Sequence, residues 1–230
     1  MNIRFQKAYT SQLAECPLGR AELRRSLRLP ETAPVVPAVG RATKEKDPQL
    51  LLASFARLLR RVPDARLVML GVKQNRLAVL RLARQVGVAH ALRLVRPVPH
   101  SRMAAYYRMA DVLAFASTTD TQGLVMIEAE VAGLPVVLAD AALAGRPGDE
   151  ATGRLSTAPD ADSFAAALGR VLTDPHLHRE VAEAGRAAAA SYSAQRYLDH
   201  LLAVYAFALG QAQGAASASV GANRAARTAG

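Results

Sequence analysis

One cysteine, Cys16, in 230 residues excludes an internal disulfide and points to a reducing compartment. Tryptophan is absent and aromatic residues make up 5% of the chain, so platforms for stacking bases are scarce and a nucleic-acid-binding role is disfavoured. Metal-ligand spacing is missing too, with the five histidines scattered. No uncharged apolar run approaches the roughly 20 residues of a membrane-spanning helix, and "MNIRFQKAY" lacks the apolar core of a signal peptide. The expected location is therefore the cytoplasm, with any membrane contact peripheral, at the inner face. Acidic residues are outnumbered, 19 against 29 Lys and Arg, giving a formal net charge of +10. An anionic partner follows, a phosphate-bearing ligand, an acidic membrane surface or nucleic acid, and charge alone does not choose among them.

What is present is a 51% hydrophobic chain, enough to bury a substantial core. Its apolar runs alternate in period. "APVVPAVG" (33–40), "ARLVMLG" (65–71), "ALRLVRPV" (91–98), "DVLAFAS" (111–117) and "LPVVLAD" (134–140) read as strands. Between them, 47–62, 75–88, 100–110 and 123–133 read as helices, the first with Asp47 as N-cap and Pro48 at its first position, the third capped by Ser101. Two further helices are expected over 160–174 and 174–192, and a last one over 194–209. Such alternation predicts an α/β fold with a doubly wound, Rossmann-like parallel sheet. The expected organisation is a linker with a short helical pattern over 1–32, one domain over 33–209, and a disordered Ala/Gly/Ser-rich tail over 210–230.

Sheets of this kind bind ligands at the carboxyl ends of their strands. Two loops there carry suitable chemistry. In "VGRATKEKDP" (39–48), Gly40 permits close backbone approach, Arg41 offers a fork of donors and Lys46 a compact ammonium, both suited to phosphate. Alone, this loop also reads as ordinary polar surface. In "TTDTQGLVMIEAEVAG" (118–133), the backbone N–H groups of Gly123 and Leu124 open a helix and can bind an anion or a sugar hydroxyl. Glu128, about one turn on, has two acceptor oxygens for a ribose-like diol, while Asp120 precedes the helix at the other end of an elongated ligand. Taken singly, the two acids read equally well as a buried acid and a helix cap.

Together these residues resemble the carboxy-terminal, donor-binding half of a group 1 (family 4) retaining glycosyltransferase of the GT-B fold. The V-G-R-x3-E-K pattern is matched by Val39, Gly40, Arg41, Glu45 and Lys46. The E-x7-E signature is matched by Asp120, Gln122, Gly123, Leu124 and Glu128, followed by "AEVAGLPVV". The resemblance implies that Arg41 and Lys46 hold the diphosphate of a nucleotide sugar such as a UDP- or GDP-hexose, and that Glu128 holds the ribose. Asp120, Gln122, Gly123 and Leu124 would contact the transferred hexose, and no metal or cofactor is implied. Gln122, where Phe is usual, is similar to glycolipid-forming members, the diacylglycerol glucosyltransferases and related mannosyltransferases, which implies a lipid or glycan acceptor.

The match has departures. The first acid is Asp120, one methylene short of Glu; Gly71-Val72-Lys73 stands where G-D-G is usual; and Pro37 interrupts an expected central strand. The amino-terminal GT-B domain that carries the acceptor site has no counterpart in the first 32 residues. The implied activity, hexosyl transfer with retention, would then be lost in isolation, with a separate amino-terminal domain as a partner. The alternative is a non-catalytic half acting as a binding module.

Overall fold

Strand β1, Val35–Val39, takes the place of the first apolar run and pairs in parallel with β2, Arg66–Leu70, in register Val35 to Arg66. A computed structural model provides the coordinates and describes residues 19–117, 124–140 and 153–190. β3, Leu92–Val95, adds to β2 in parallel, completing one ladder in the order β3-β2-β1. A second parallel ladder runs β4-β5-β6, with β4 at Leu113–Phe115, β5 at Val136–Ala139 and β6 at Arg154–Thr157. The ladders meet where β1 lies beside β4. The spatial order is thus 3-2-1-4-5-6, reversing direction between β1 and β4, as in a doubly wound fold.

Helices cover both faces. α1 is Arg20–Ser26, α2 Pro48–Leu58, α3 Arg76–Gln85, α4 Met103–Arg108, α5 Leu124–Val131, α6 Ala161–Thr173 and α7 Pro175–Ala189. One core joins Leu51, Phe55 and Leu58 of α2 to Val79 of α3 and to Phe164 and Leu168 of α6. The other joins Leu23 of α1 to Tyr107 of α4 and Ala129 of α5. α1 is integral to that second core, which therefore begins earlier than residue 33.

Pro37 is accommodated by register. Pro34 O accepts from the Arg66 amide at 2.7 Å, and the Gly40 amide donates to Leu70 O at 2.9 Å, so the even-numbered residues of β1 bond toward β2. Val35, Pro37 and Val39 therefore face β4. Pro37 has no N–H to lose on the β2 side, and its missing donor falls where the two ladders are not continuously paired.

One expectation is corrected. Ser101 does not cap a helix: it lies within a 3₁₀ turn, His100–Arg102, because the Arg102 amide reaches back to Pro99 O at 2.9 Å, and α4 starts only at Met103. Strand β6 was not anticipated, since "RLST" is too short and too polar to stand out as an apolar run. The expected helix over 194–209, the tail over 210–230 and the segment preceding Gly19 lie outside the described residues.

Candidate nucleotide-sugar site

The carboxyl ends of β1 and β4 frame a small open hollow at the reversal point of the sheet. Its lining includes Gly40, Arg41 and Lys46 from the loop after β1, and Phe115, Ala116 and Ser117 from the end of β4. Two glycines let the loops close over it. Gly40 has φ +141°, and a Cβ there would lie 3.3 Å from Lys46 Cε, so the lysine stem runs across a space that only a missing side chain leaves. Gly71, at φ +87°, would bring a Cβ to 3.1 Å from Gly40 O. The departure at Gly71-Val72-Lys73 thus keeps the glycine on which this approach depends.

A 3₁₀ turn, Lys44–Lys46, leads into α2, where Asp47 adopts a left-handed conformation and accepts from the Leu50 amide at 2.9 Å. Asn75 Nδ2 donates to Ala42 O at 2.9 Å and ties this loop to the one after β2. Lys46 Nζ is held over the hollow from two sides. It donates to Ser117 Oγ at 3.2 Å and stands 5.3 Å from the centre of the Phe115 ring, a cation–π distance. Arg41 is exposed, its side chain 80% accessible and 4.0 Å from the Glu45 carboxylate. One anchored and one exposed cation thus border a single hollow.

Glu128 is placed differently. It is buried in α5 and accepts from the Tyr107 hydroxyl through Oε2 at 2.5 Å; it is not among the residues lining the hollow. Leu124 begins α5 and is 38% exposed. Asp120, Gln122 and Gly123 lie outside the described residues. The hollow's lining therefore joins Gly40, Arg41 and Lys46 and does not include Glu128.

Reading the sequence missed three residues here. Ser117 and Phe115 had a visible signal, being the last residues of an apolar strand at its carboxyl end, where ligand-facing groups collect. Tyr107 had none, because "MAAYYRMA" does not say which tyrosine is 1% exposed and turned toward α5. The other buried acid of α5, Glu130, serves the fold: Arg154 of β6 grips both its oxygens, with Nη2 at 3.1 Å from Oε2. Burial raises its pKa, against the lowering effect of Arg154.

Comparison with known proteins gives the family and the fold. The sequence profile of the family described as "Glycosyl transferases group 1" matches residues 19–188. A D-inositol 3-phosphate glycosyltransferase of Nocardia farcinica is 36% identical over 216 residues, covering 90% of this chain and 48% of that protein. The chain spans about half the length of the curated relatives it matches. Among solved structures, the C-terminal domain of the Francisella tularensis group 1 protein LpcC superposes with a TM-score of 0.64 at 18% identity, over 79% of this chain and 96% of that one. Anabaena HepE, solved in complex with UDP, gives a TM-score of 0.70 at 19% identity, over 84% of this chain and 55% of that one. At such identities the superpositions establish the fold, Rossmann-like and of the GT-B kind.

Proposed function

Since the chain belongs to the group 1 glycosyl transferases, we propose that it forms the donor side of an enzyme that transfers a hexose from a nucleoside diphosphate with retention of configuration. Arg41 and Lys46 neutralise the pyrophosphate, and Glu128 receives the pentose hydroxyls. Asp120, with the Gln122–Leu124 segment, contacts the hexose. The observation that carries this reading is Lys46 held at the sheet's reversal point by Ser117 and Phe115, with exposed Arg41 on the same hollow. As the sugar–phosphate bond breaks, negative charge accumulates on the departing diphosphate. Lys46, already held there by Ser117 and Phe115, stabilises it without reorganising, and so lowers the barrier.

Transfer also needs an acceptor aligned with the donor. In this proposal the remainder of a longer protein, or a separate amino-terminal domain, supplies that wall, and this chain alone binds donor but turns over poorly. The relatives' name adds a phosphorylated cyclitol as a candidate acceptor, beside the lipid or glycan suggested by Gln122. Peripheral attachment to an anionic leaflet stays within the reading through the +10 charge. Among the described residues no helix is long and apolar enough to cross a membrane.

Calorimetric titration of the chain with UDP-, GDP- and ADP-hexoses tests the donor site. One of the three binds, and Arg41→Ala and Glu128→Ala each weaken it. Equal binding by all three proteins defeats the assignment.

A further inference from the structure

We infer that Tyr107 is a positioning residue that aims Glu128 at the donor's pentose. The inference rests on the role proposed for Glu128 above. Residues Tyr107 and Glu128 sit on adjacent helices, α4 and α5, and are 1% and 5% exposed. A carboxylate withdrawn from water needs donors in place of the lost solvent, and the phenol supplies one at 2.5 Å, within the short range of charge-assisted O–H···O⁻ bonds. The bond is made by one oxygen only, Oε2. Among the described residues no donor reaches Oε1, which keeps its lone pairs for a ligand hydroxyl. Fixing Oε2 also fixes the carboxyl plane, and so the direction in which Oε1 presents them.

That direction matters because Glu128 does not line the hollow holding Arg41 and Lys46. Its carboxyl group meets a pentose beside that hollow only in a restricted orientation, and a side chain with three rotatable bonds does not keep such an orientation unaided. α4 is the right place for the constraint. Ala104, Ala105, Tyr106 and Tyr107 are all buried against the sheet or its neighbours, so the Tyr107 ring has no freedom to follow Glu128 if that residue turns. The tyrosine touches no ligand in this account; it acts through the acid.

The test compares UDP with 2′,3′-dideoxyuridine 5′-diphosphate, and GDP with its dideoxy analogue, titrated into the 230-residue chain by calorimetry. The ratio of the two Kd values isolates the pentose hydroxyls from the diphosphate. In the wild type the complete nucleotide binds at least about tenfold tighter, the size of a hydrogen bond to a charged group. Glu128→Gln brings the ratio close to one. Tyr107→Phe lowers the ratio at least about threefold while leaving the affinity for the dideoxy analogue unchanged, a pattern that general loosening of the fold would not give. In the Glu128→Gln background, adding Tyr107→Phe changes the ratio no further, and this double variant leaves no buried carboxylate without its donor should the single one fold poorly. If Glu128→Gln collapses the ratio and Tyr107→Phe leaves it at the wild-type value, Tyr107 has no positioning role. If the wild type shows no preference for the complete nucleotide, the pentose role of Glu128 fails first and the inference falls with it.

Discussion

The Val35 amide donates to Asp111 Oδ2 at 2.7 Å, and the Asp111 amide donates in return to Val35 O at 2.9 Å. This reciprocal pair clamps β1 to the residue just before β4, at the amino end of the seam. Two residues further on, Pro37 offers β4 no donor. The seam is thus tied at one end and unpaired toward the other, and the hollow with Lys46 lies at the unpaired end. The proline that looks like a fault in a central strand sits where the fold separates its two halves.

The clamp depends on Arg24. Its guanidinium is 2% exposed and donates to Asp111 Oδ2 at 2.9 Å, to Met109 O at 2.8 and 3.0 Å, to Ala33 O at 2.8 Å and to Glu31 O at 2.7 Å. Removing it leaves several buried carbonyl oxygens without a donor, while Asp111 keeps Arg20 at 2.8 Å and the Val35 amide. Arg24→Ala should lower unfolding stability by about 2–4 kcal/mol, the cost of leaving buried carbonyls unsatisfied, read from urea denaturation. Arg24→Lys should recover little, because three donors from one point do not span acceptors arranged around a planar fork. Full recovery by lysine would show that charge alone, without the fork, holds the joint.

The Glu130–Arg154 pair gives a pH signature. Burial sets the folded pKa of Glu130 above its ordinary 4.5, opposed by the hydrogen bonds and charge of Arg154. An acid whose folded value is raised binds more protons in the native state than in the unfolded one. Stability therefore declines as pH rises through the window that opens at the unfolded value. Arg154→Ala removes the opposing influence and extends that window upward. The variant should lose about 3 kcal/mol or more at pH 8 and distinctly less at pH 5, where Glu130 takes up a proton. Denaturation at the two pH values checks this; an equal loss at both would mean that Glu130 stays ionised without its partner.

Gly153 and Gly185 meet backbone to backbone. A Cβ built on Gly153, which has φ +78°, would overlap the Gly185 Cα and come within 3.2 Å of Val181 O. No side-chain motion relieves contact with main-chain atoms, so Gly153→Ala must push α7 off the end of β6. Several kcal/mol of destabilisation follow from strain and displacement together. Hydrogen exchange should show the loss of protection concentrated in α7, whose Val181 and Leu177 lie in the core with α6. Uniform loss across the chain would place the cost elsewhere.

Much of this architecture is legible in the sequence, for an identifiable reason. Strands β1 to β5 are apolar runs because a parallel sheet is buried on both faces, and the alternation with amphipathic helices leaves few other topologies. The Gly40-Arg41-Lys46 group is legible because a loop after a strand concentrates it within seven residues. What stayed hidden depends on contacts distant in the chain. Arg24 reads as one more basic residue on a polar helix, and only the return of Asp111 beside β1 makes it a buried joint. Likewise, Glu128 and Glu130 look equivalent in "MIEAEVAG". Their partners, Tyr107 and Arg154, come from different elements on different sides of α5, and pairing at that range leaves no local periodicity.

Lys46 is where charge and geometry can be tested separately. Lys46→Met keeps the aliphatic stem across Gly40 but removes the ammonium, so the fold should hold while affinity for UDP or GDP falls at least about tenfold, the cost of losing a charge-assisted contact. Gly40→Ala keeps the charge and disturbs its support, since the new Cβ would press on the lysine stem at 3.3 Å and φ +141° strains any L residue. Affinity should fall here too, accompanied by lost stability. Ser117→Ala removes the 3.2 Å tether and leaves the Phe115 contact, so its effect should be smaller, about threefold. Salt separates the causes. The Lys46→Met protein should show a shallower decline of affinity with ionic strength than wild type, whereas Ser117→Ala should keep the wild-type slope, because its cation is still present. An unchanged slope in Lys46→Met would mean that the diphosphate is held by Arg41 or by backbone amides, and that the lysine at the reversal point of the sheet is structural.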